Sequence, residues 1–436
     1  MYLGWIEYHY IKPKFHFKYW GFEWVEPLSS HYLYAIHCLM ILASLGVMFA
    51  QKTLYKVAAI VLFLCFTYTE LIDLTYYLNH YYFVSCVCFL LIFIQVQPSN
   101  PKHSARGNFN TKFRHFFSGN VPNWCILALK LQISFVYIYA GLAKINYDWL
   151  FNALPLKIWL PAHDKMPIIG EIFTWQITPY VFSWVGMIYD CTIIFFLINK
   201  KTRFFAYLTV IIFHVLTGLL FQIGVFPLVM IGATLIFFDW DFLNKNNNQN
   251  NSYQLDNELF VKTQTTAKTI TTPSPSLGRR GVLSLSYLGG VRGGILAIFF
   301  LFQIMFPLRF LCYENNLFWS EEGYRFSWRV MLMEKAGTAT FYVKNPLTGK
   351  EGIVDNAEFL NSHQEKQMAM QPDMILQFAH FLGNHYATDK KNVPSVRVEA
   401  YVTLNGKPSK LLIDPNINLM NEKDTFAPKK WILSYK

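Results

Sequence analysis

Several side chains that can hold or move a proton lie in the most apolar stretches of this chain. Lys144 closes VYIYAGLAK, Asp190 sits inside VGMIYDCTIIFFL, and His214 lies in IIFHVLTGLL. Asn79 and His80 occur together in TYYLNHYY, and Glu70 and Asp73 come shortly before them. An amine, imidazoles and carboxylates kept from water are the tools of acid–base chemistry. In hydrocarbon such groups are expensive and mark function by default. Each also has a plain structural reading. Lys144 can be a snorkelling anchor at a helix end, His80 a helix cap, His214 a satisfied core histidine, and Glu70 and Asp73 interfacial residues. Asp190 is hardest to dismiss, because at about 1.5 Å per residue it lies roughly 18 Å into its segment. Most of the set falls toward one face, as a cavity opening on that face would require.

The elements that must position them are membrane helices. The chain has 436 residues, 53% hydrophobic and 15% charged, against about 25% charged in soluble domains. Residues 33–50, 54–74, 80–97, 125–144, 178–199, 203–221, 224–238 and 294–309 run near the ~20 apolar residues that cross a bilayer. The seventh is short enough to be re-entrant. The expected fold is an α-helical polytopic membrane bundle of about seven to eight transmembrane segments, followed by a small α+β soluble domain. Residues 1–32 read as an amphipathic interfacial segment and 33–243 as the bundle. Residues 244–293 read as a low-complexity disordered linker, 294–311 as the last membrane helix, and 312–436 as the soluble domain. In that domain TATFYVK and EGIVD read as a hairpin, 356–386 as helix interrupted near Pro372, and SVRVEAYVTLNGKPSKLLID as two strands about an Asn-Gly turn.

The net charge of +11 is topological. From residue 312 onward 15 Lys/Arg face 14 Asp/Glu. The excess sits in short loops at Lys52 and Lys56, at Lys102, Arg106, Lys112 and Arg114, and at Lys200, Lys201 and Arg203. Alternating segments bring all three loops to one face, which the positive-inside rule makes cytoplasmic. The soluble domain and the outer half of the bundle are then extracytoplasmic, and nucleic acid is not an expected partner.

Other chemistries lack their motifs. The seven cysteines lie in or beside apolar segments without zinc spacing or a disulfide framework. No HExxH occurs, and His380 and His385 are five apart, where a helical zinc pair needs four. No metal site is expected. RGVLSLSYLGGVRGG lacks the strand–loop–helix setting of a phosphate-binding loop, and no G-x-S-x-G elbow is present.

AGLAKINYDWL, LIDLTYYLNHYY, FHVLTGLLFQIGVFP and EEGYRFSWRVMLMEK, with LLIDPNI near the end, resemble the vitamin K-dependent γ-glutamyl carboxylases. The likeness is closer to bacterial relatives built on the horizontally transferred transmembrane (HTTM) domain. It covers nearly the whole chain outside the linker. It implies an integral membrane carboxylase of the carbon–carbon lyase type, in a bacterial inner membrane. Such an enzyme oxidises a reduced vitamin K hydroquinone, here menaquinol-like, with O2 to the epoxide. The strong base so formed takes a γ-proton from glutamate, and CO2 adds. The implied partners are the bilayer, a glutamate-containing protein or peptide, and a quinone-reducing protein.

By the same resemblance Lys144 corresponds to the lysine that deprotonates the hydroquinone. His80 and Asn79 correspond to the pair assigned to carboxylation. His214 and Tyr324 fall on stretches that contact quinone or substrate, and Asp190 on an acidic position that orients a neighbour. Thr217 stands where relatives carry an asparagine. For Lys144 to act as a base it must be partly neutral, which requires an apolar pocket around it. Relatives have a further membrane helix before GWIEYHYIKPKF, so a missing first helix or a misplaced start is expected. The domains with which animal enzymes recognise propeptides are not expected either. Two rival readings keep the fold: a non-enzymatic transporter or assembly protein, and a quinone-dependent oxidase that never carboxylates.

Overall fold

The computed structural model describes residues 4–94, 121–221, 223–238, 291–389 and 392–435. The basic loop 102–114 and most of the expected linker lie outside these residues. Among the described residues, six helices are long and apolar enough to cross a membrane. They are α1 Ser30–Phe49, α2 Lys52–Leu71, α4 Asn123–Ala143, α7 Thr178–Ile198, α8 Arg203–Phe221 and the span Arg292–Cys312. That last span contains α10, Val291–Met305, and the 3-10 turns that extend it. Two apolar helices are shorter, α3 Asn79–Phe93 and α9 Phe226–Thr234, the latter carried on by a 3-10 turn to Phe237.

α4 and α7 cross closely because Gly141 leaves no side chain at the contact. A Cβ there would stand 2.6 Å from Cys191 Sγ and 2.7 Å from its backbone nitrogen. This approach brings the C-terminal end of α4 against the middle of α7. The loop 145–177 then covers that end with the short helices α5 Tyr147–Leu150 and α6 Leu156–Trp159 and two 3-10 turns. Trp149, Leu150, Leu156, Leu160 and Phe173 bury themselves with Leu220 and Leu332 to form this lid's core.

The soluble domain is a four-stranded antiparallel sheet in the order β2-β1-β3-β4. β1 Lys335–Lys344 turns through NPLTGK into β2 Glu351–Ile353, and β3 Ser395–Leu404 turns through Asn405-Gly406 into β4 Lys410–Leu411. β3 alternates inward Val396, Val398, Ala400, Val402 and Leu404 with outward residues, the period-2 pattern of a half-covered sheet. α12 Ser362–Met368 and α13 Pro372–His385 supply the cover, with Pro372 starting the second helix. A short helix, α11 Leu317–Ser320, precedes the sheet.

The N-terminal segment is mostly irregular. Its one helical turn is Glu7–Ile11. Beyond it, Phe17 and Tyr19 enter the core of the soluble domain beside Phe341 and Phe378, together with Leu74 from the α2–α3 connection. Trp5, Trp20 and Trp24 stay exposed. Asp73 is the hub of this junction, not a membrane residue. It accepts from Thr75 N and Oγ1 at 2.9 and 2.6 Å, from Gln364 Nε2 at 2.6 Å, and is paired with His16 Nδ1 at 3.1 Å. The N-terminal segment, the α2–α3 connection and the soluble domain therefore lie on one side of the bundle.

Candidate active site

Lys144 is the C-cap of α4. It lies two turns after Tyr137 and one after Ala140, on one face of the helix. Its Nζ donates to Asp190 Oδ2 at 2.7 Å and to the Ala140 carbonyl at 3.3 Å. The two residues are 7% and 5% exposed. The motif after Lys144 builds its roof. Asn146 caps α5 by accepting from Trp149 N at 2.9 Å, and its Nδ2 donates to Ala143 O at 3.0 Å. Trp149 is thereby held with its ring 5.5 Å from Lys144 Nζ, and its Nε1 donates to the Ser183 carbonyl at 2.9 Å. Ser183 Oγ donates back to the Trp149 carbonyl.

This geometry keeps Asp190 at the expected depth and brings Lys144 Nζ to it. Asp190 lies twelve residues after Thr178, the first residue of α7, or about 18 Å at about 1.5 Å per residue. Lys144, paired with it, is equally far from that helix end. The end of α4 is below the lid, so Lys144 is no surface anchor, and Asp190 is not an unpaired carboxylate.

Lys144, Asp190, His214 and Thr217 line one cavity of about 100 Å³. Its other walls are mainly apolar, including Trp149, Trp159, Phe213, Phe221 and Phe226. Tyr137 Oη and His214 Nε2 are hydrogen-bonded at 2.8 Å, whereas His214 Nδ1 is buried without a partner among the described residues. Thr217 Oγ1 donates to the His214 carbonyl at 3.1 Å, so the hydroxyl is partly committed to its own helix. Tyr137 is a site residue the sequence reading missed. Its spacing from Lys144 within VYIYAGLAK was the available signal.

The remaining expected residues do not share this cavity. Asn79 Nδ2 donates to Arg329 O at 2.8 Å and its Oδ1 accepts from Tyr77 Oη at 3.1 Å. It thereby ties the start of α3 to the segment 326–331. His80 is buried and makes no hydrogen bond among the described residues, and its ring lies 5.7 Å from that of Phe226, a cavity wall. Tyr324 lines neither this cavity nor the larger one described below, and Glu70 lines only the larger. The expected single cluster is thus divided, because α3 stands beside the cavity and not in its wall.

The segment 326–331 is conformationally strained. Phe326, Trp328 and Met331 have φ of 57°, 58° and 55°, each costing about 1–3 kcal/mol for a bulky side chain. Trp328 is fully buried, stacked on Tyr82 at 4.8 Å, with Nε1 unpartnered among the described residues. Val330 and Met331 close the small cavity. Burial pushes the Arg329 guanidinium down to about 10, and its face lies 4.3 Å from the Phe310 ring.

A polytopic helical bundle, a buried Lys144–Asp190 pair beneath a lid and a capping α+β domain together describe a class of membrane proteins with a polar site inside the bundle. The HTTM domain family matches residues 1–242, and the vitamin K-dependent gamma-carboxylase lumenal domain family matches residues 290–436. The chain belongs to the vitamin K-dependent gamma-carboxylase family. No solved structure matches it. It is an integral membrane protein with carboxylase-type domains, and its family implies use of vitamin K hydroquinone and glutamate-containing substrates. Among the described residues no group of three or more His, Cys, Asp or Glu is placed to hold a metal.

Proposed function

We propose that the protein couples oxidation of a reduced vitamin K-type hydroquinone by O2 to carboxylation of glutamate side chains by CO2, with Lys144 as the initiating base. The observation that carries this reading is Lys144 Nζ in a mostly apolar cavity, 2.7 Å from Asp190 Oδ2. The lining suits an aromatic diol, with aromatic walls for the ring and Nζ, Asp190 and the Tyr137–His214 pair for its hydroxyls. Its volume of about 100 Å³ is below the about 300–1,000 Å³ of small-molecule sites. Seating a bicyclic ring therefore requires the Met331, Phe221 and Phe226 walls to give way. When bound, the hydroquinone supplies the reducing electrons from which a base stronger than any side chain is made.

The chain's own residues hold and move protons. Nζ can accept a proton only as an amine. Asp190 Oδ2 then takes one of its N–H bonds and leaves the lone pair for the incoming proton. Once Nζ is an ammonium, the same carboxylate is its counter-charge, and Trp149 adds cation–π contact. The lid formed by 145–177 keeps bulk water away, which preserves the strength of this pairing. Asn79 acts as a positioning residue by holding Arg329 O and thus the Val330–Met331 wall. His80, beside Phe226, serves the carboxylation half-reaction, while His214, Thr217 and Tyr324 contribute to binding. The soluble domain is extracytoplasmic and the membrane is a bacterial cell membrane.

Purified protein given reduced vitamin K, O2, labelled bicarbonate and a glutamate-containing peptide is expected to form both epoxide and labelled peptide, and Lys144→Ala neither. Epoxide without label would leave only a quinone oxidase. Neither product from folded wild type would leave a non-enzymatic transporter or assembly protein.

A further inference from the structure

A second, larger cavity of about 630 Å³ lies among α2, α3, the Arg292–Cys312 span and the soluble domain. Its membrane-side wall is aromatic: Phe63, Phe89, Phe299, Phe302 and Phe306. Its other end is ringed by charged side chains from the soluble domain and the N-terminal segment. Most of these are satisfied within the protein. Arg325 pairs with Asp373, Lys429 with Asp424 and Glu322, Glu321 with Lys335, and Lys18 with Glu26.

Two ionisable lining groups are left over, one basic and one acidic. Arg309 uses its guanidinium N–H groups only on the main-chain carbonyls of Phe306 and Arg325, and lies 4.0 Å over the Phe306 ring. It forms no ion pair among the described residues. Glu70, near the end of α2, makes neither a hydrogen bond nor an ion pair among them. The two do not pair with each other. A guanidinium and an unpartnered carboxyl lining one aromatic cleft suit a ligand that carries an anionic group, a cationic hydrogen-bond donor and an apolar chain.

We propose that this cavity binds a zwitterionic phospholipid with a primary ammonium headgroup. Its phosphate sits on Arg309, its ammonium on Glu70, and an acyl chain lies along Phe63, Phe89 and Phe302. Arg is suited to phosphate because its planar fork offers parallel N–H donors. A primary ammonium can donate N–H bonds to the Glu70 carboxylate, which a trimethylated head cannot. The site is separate from Lys144 and does not depend on the carboxylase reading. Phe326 lines this cavity while Val330 and Met331 line the small one, so lipid occupancy bears on the wall of the Lys144 cavity.

The test uses the full-length protein in detergent, incubated with phosphatidylethanolamine, phosphatidylcholine or phosphatidylglycerol of identical chains, with retained lipid counted by native mass spectrometry. A charge-assisted hydrogen bond of about 1.5–3 kcal/mol predicts at least about tenfold preference for the ethanolamine lipid. Glu70→Gln should shrink that preference to within about twofold, and Arg309→Gln should lower retention of all three by about tenfold. Equal retention of the three by wild type would overturn the proposal. So would unchanged retention in Arg309→Gln, or displacement by a glutamate peptide or a quinol but not by added phospholipid. Photoreactive phosphatidylethanolamine on wild type needs no variant. It should label the 63–89 and 299–309 segments, and labelling confined to other segments would equally sink the idea.

Discussion

The two cavities share the segment 326–331 as a wall and treat charge in opposite ways. In the small one, Lys144 Nζ and Asp190 Oδ2 satisfy each other at 2.7 Å in about 100 Å³. In the large one, Arg309 and Glu70 are left apart in about 630 Å³. A site that satisfies its own charges can hold a proton in place and shift it. A site that leaves them open waits for a ligand to satisfy them. The contrast shows how one bundle keeps Lys144 buried against its own partner while leaving Arg309 and Glu70 without an ion pair nearby.

The comparison is broken most severely at Lys144. Lys144→Ala removes the proposed base, and carboxylation measured by labelled bicarbonate should fall by about 10²–10⁴-fold. Lipid retention in the large cavity should stay at the wild-type level. Asp190→Asn removes the carboxylate partner of Lys144 in an apolar cavity, and should cost about 3–5 kcal/mol of stability, read as a lower unfolding temperature. The double variant Lys144→Met/Asp190→Leu should recover most of that stability while remaining inactive, because the charge pair is costly to half-remove rather than to remove. If the double variant is as unstable as Asp190→Asn, the pair is not an isolated electrostatic unit.

Gly141→Val probes the contact that brings the pair together. Its side chain would meet Cys191 and force α4 from α7, costing about 1–3 kcal/mol and reducing activity without touching either charge. A smaller effect than that of the buried Lys144–Asp190 pair belongs to the self-paired rim of the large cavity. Burial opposes ionisation of Asp373, but Arg325 outweighs it and holds the carboxyl below its ordinary value. A lowered carboxyl adds stability above the unfolded value of about 3.9, and that stability is lost as pH falls through the lowered value. Asp373→Asn should therefore cost about 2 kcal/mol near neutrality, less than a fully buried pair. It should also flatten the acid-side decline in unfolding temperature below about pH 4.

Much of the bundle was legible because a membrane demands ~20 apolar residues per crossing, a constraint visible one segment at a time. The soluble strands were legible for a similar reason, since VRVEAYVTL alternates and NG turns. The site was legible only as a set of suspects. Lys144 and Asp190 are 46 residues apart, and no local pattern states that Gly141 lets their helices touch. The depth of Lys144 was hidden too, because the residues that bury it form a lid of short turns with weak periodicity. Asp73 read as a membrane-edge carboxylate, yet its partners His16 and Gln364 come from distant parts of the chain. Charge type can be read locally; compensation of charge cannot.

The placement of Phe17 also bears on how the chain is made. Lys18 N donates to Gln377 Oε1 at 2.8 Å and Gln377 Nε2 returns a bond to the Lys18 carbonyl at 3.0 Å. Phe17 and Tyr19 thus complete a core whose other members, among them Trp431 and Ile432, are synthesised long after them. Synthesis at about 5–20 residues per second leaves Phe15–Tyr19 unpartnered for tens of seconds while the bundle inserts. The soluble domain expressed by itself would carry an open slot where this segment lies, and supplying residues 8–19 as a separate peptide should fill it.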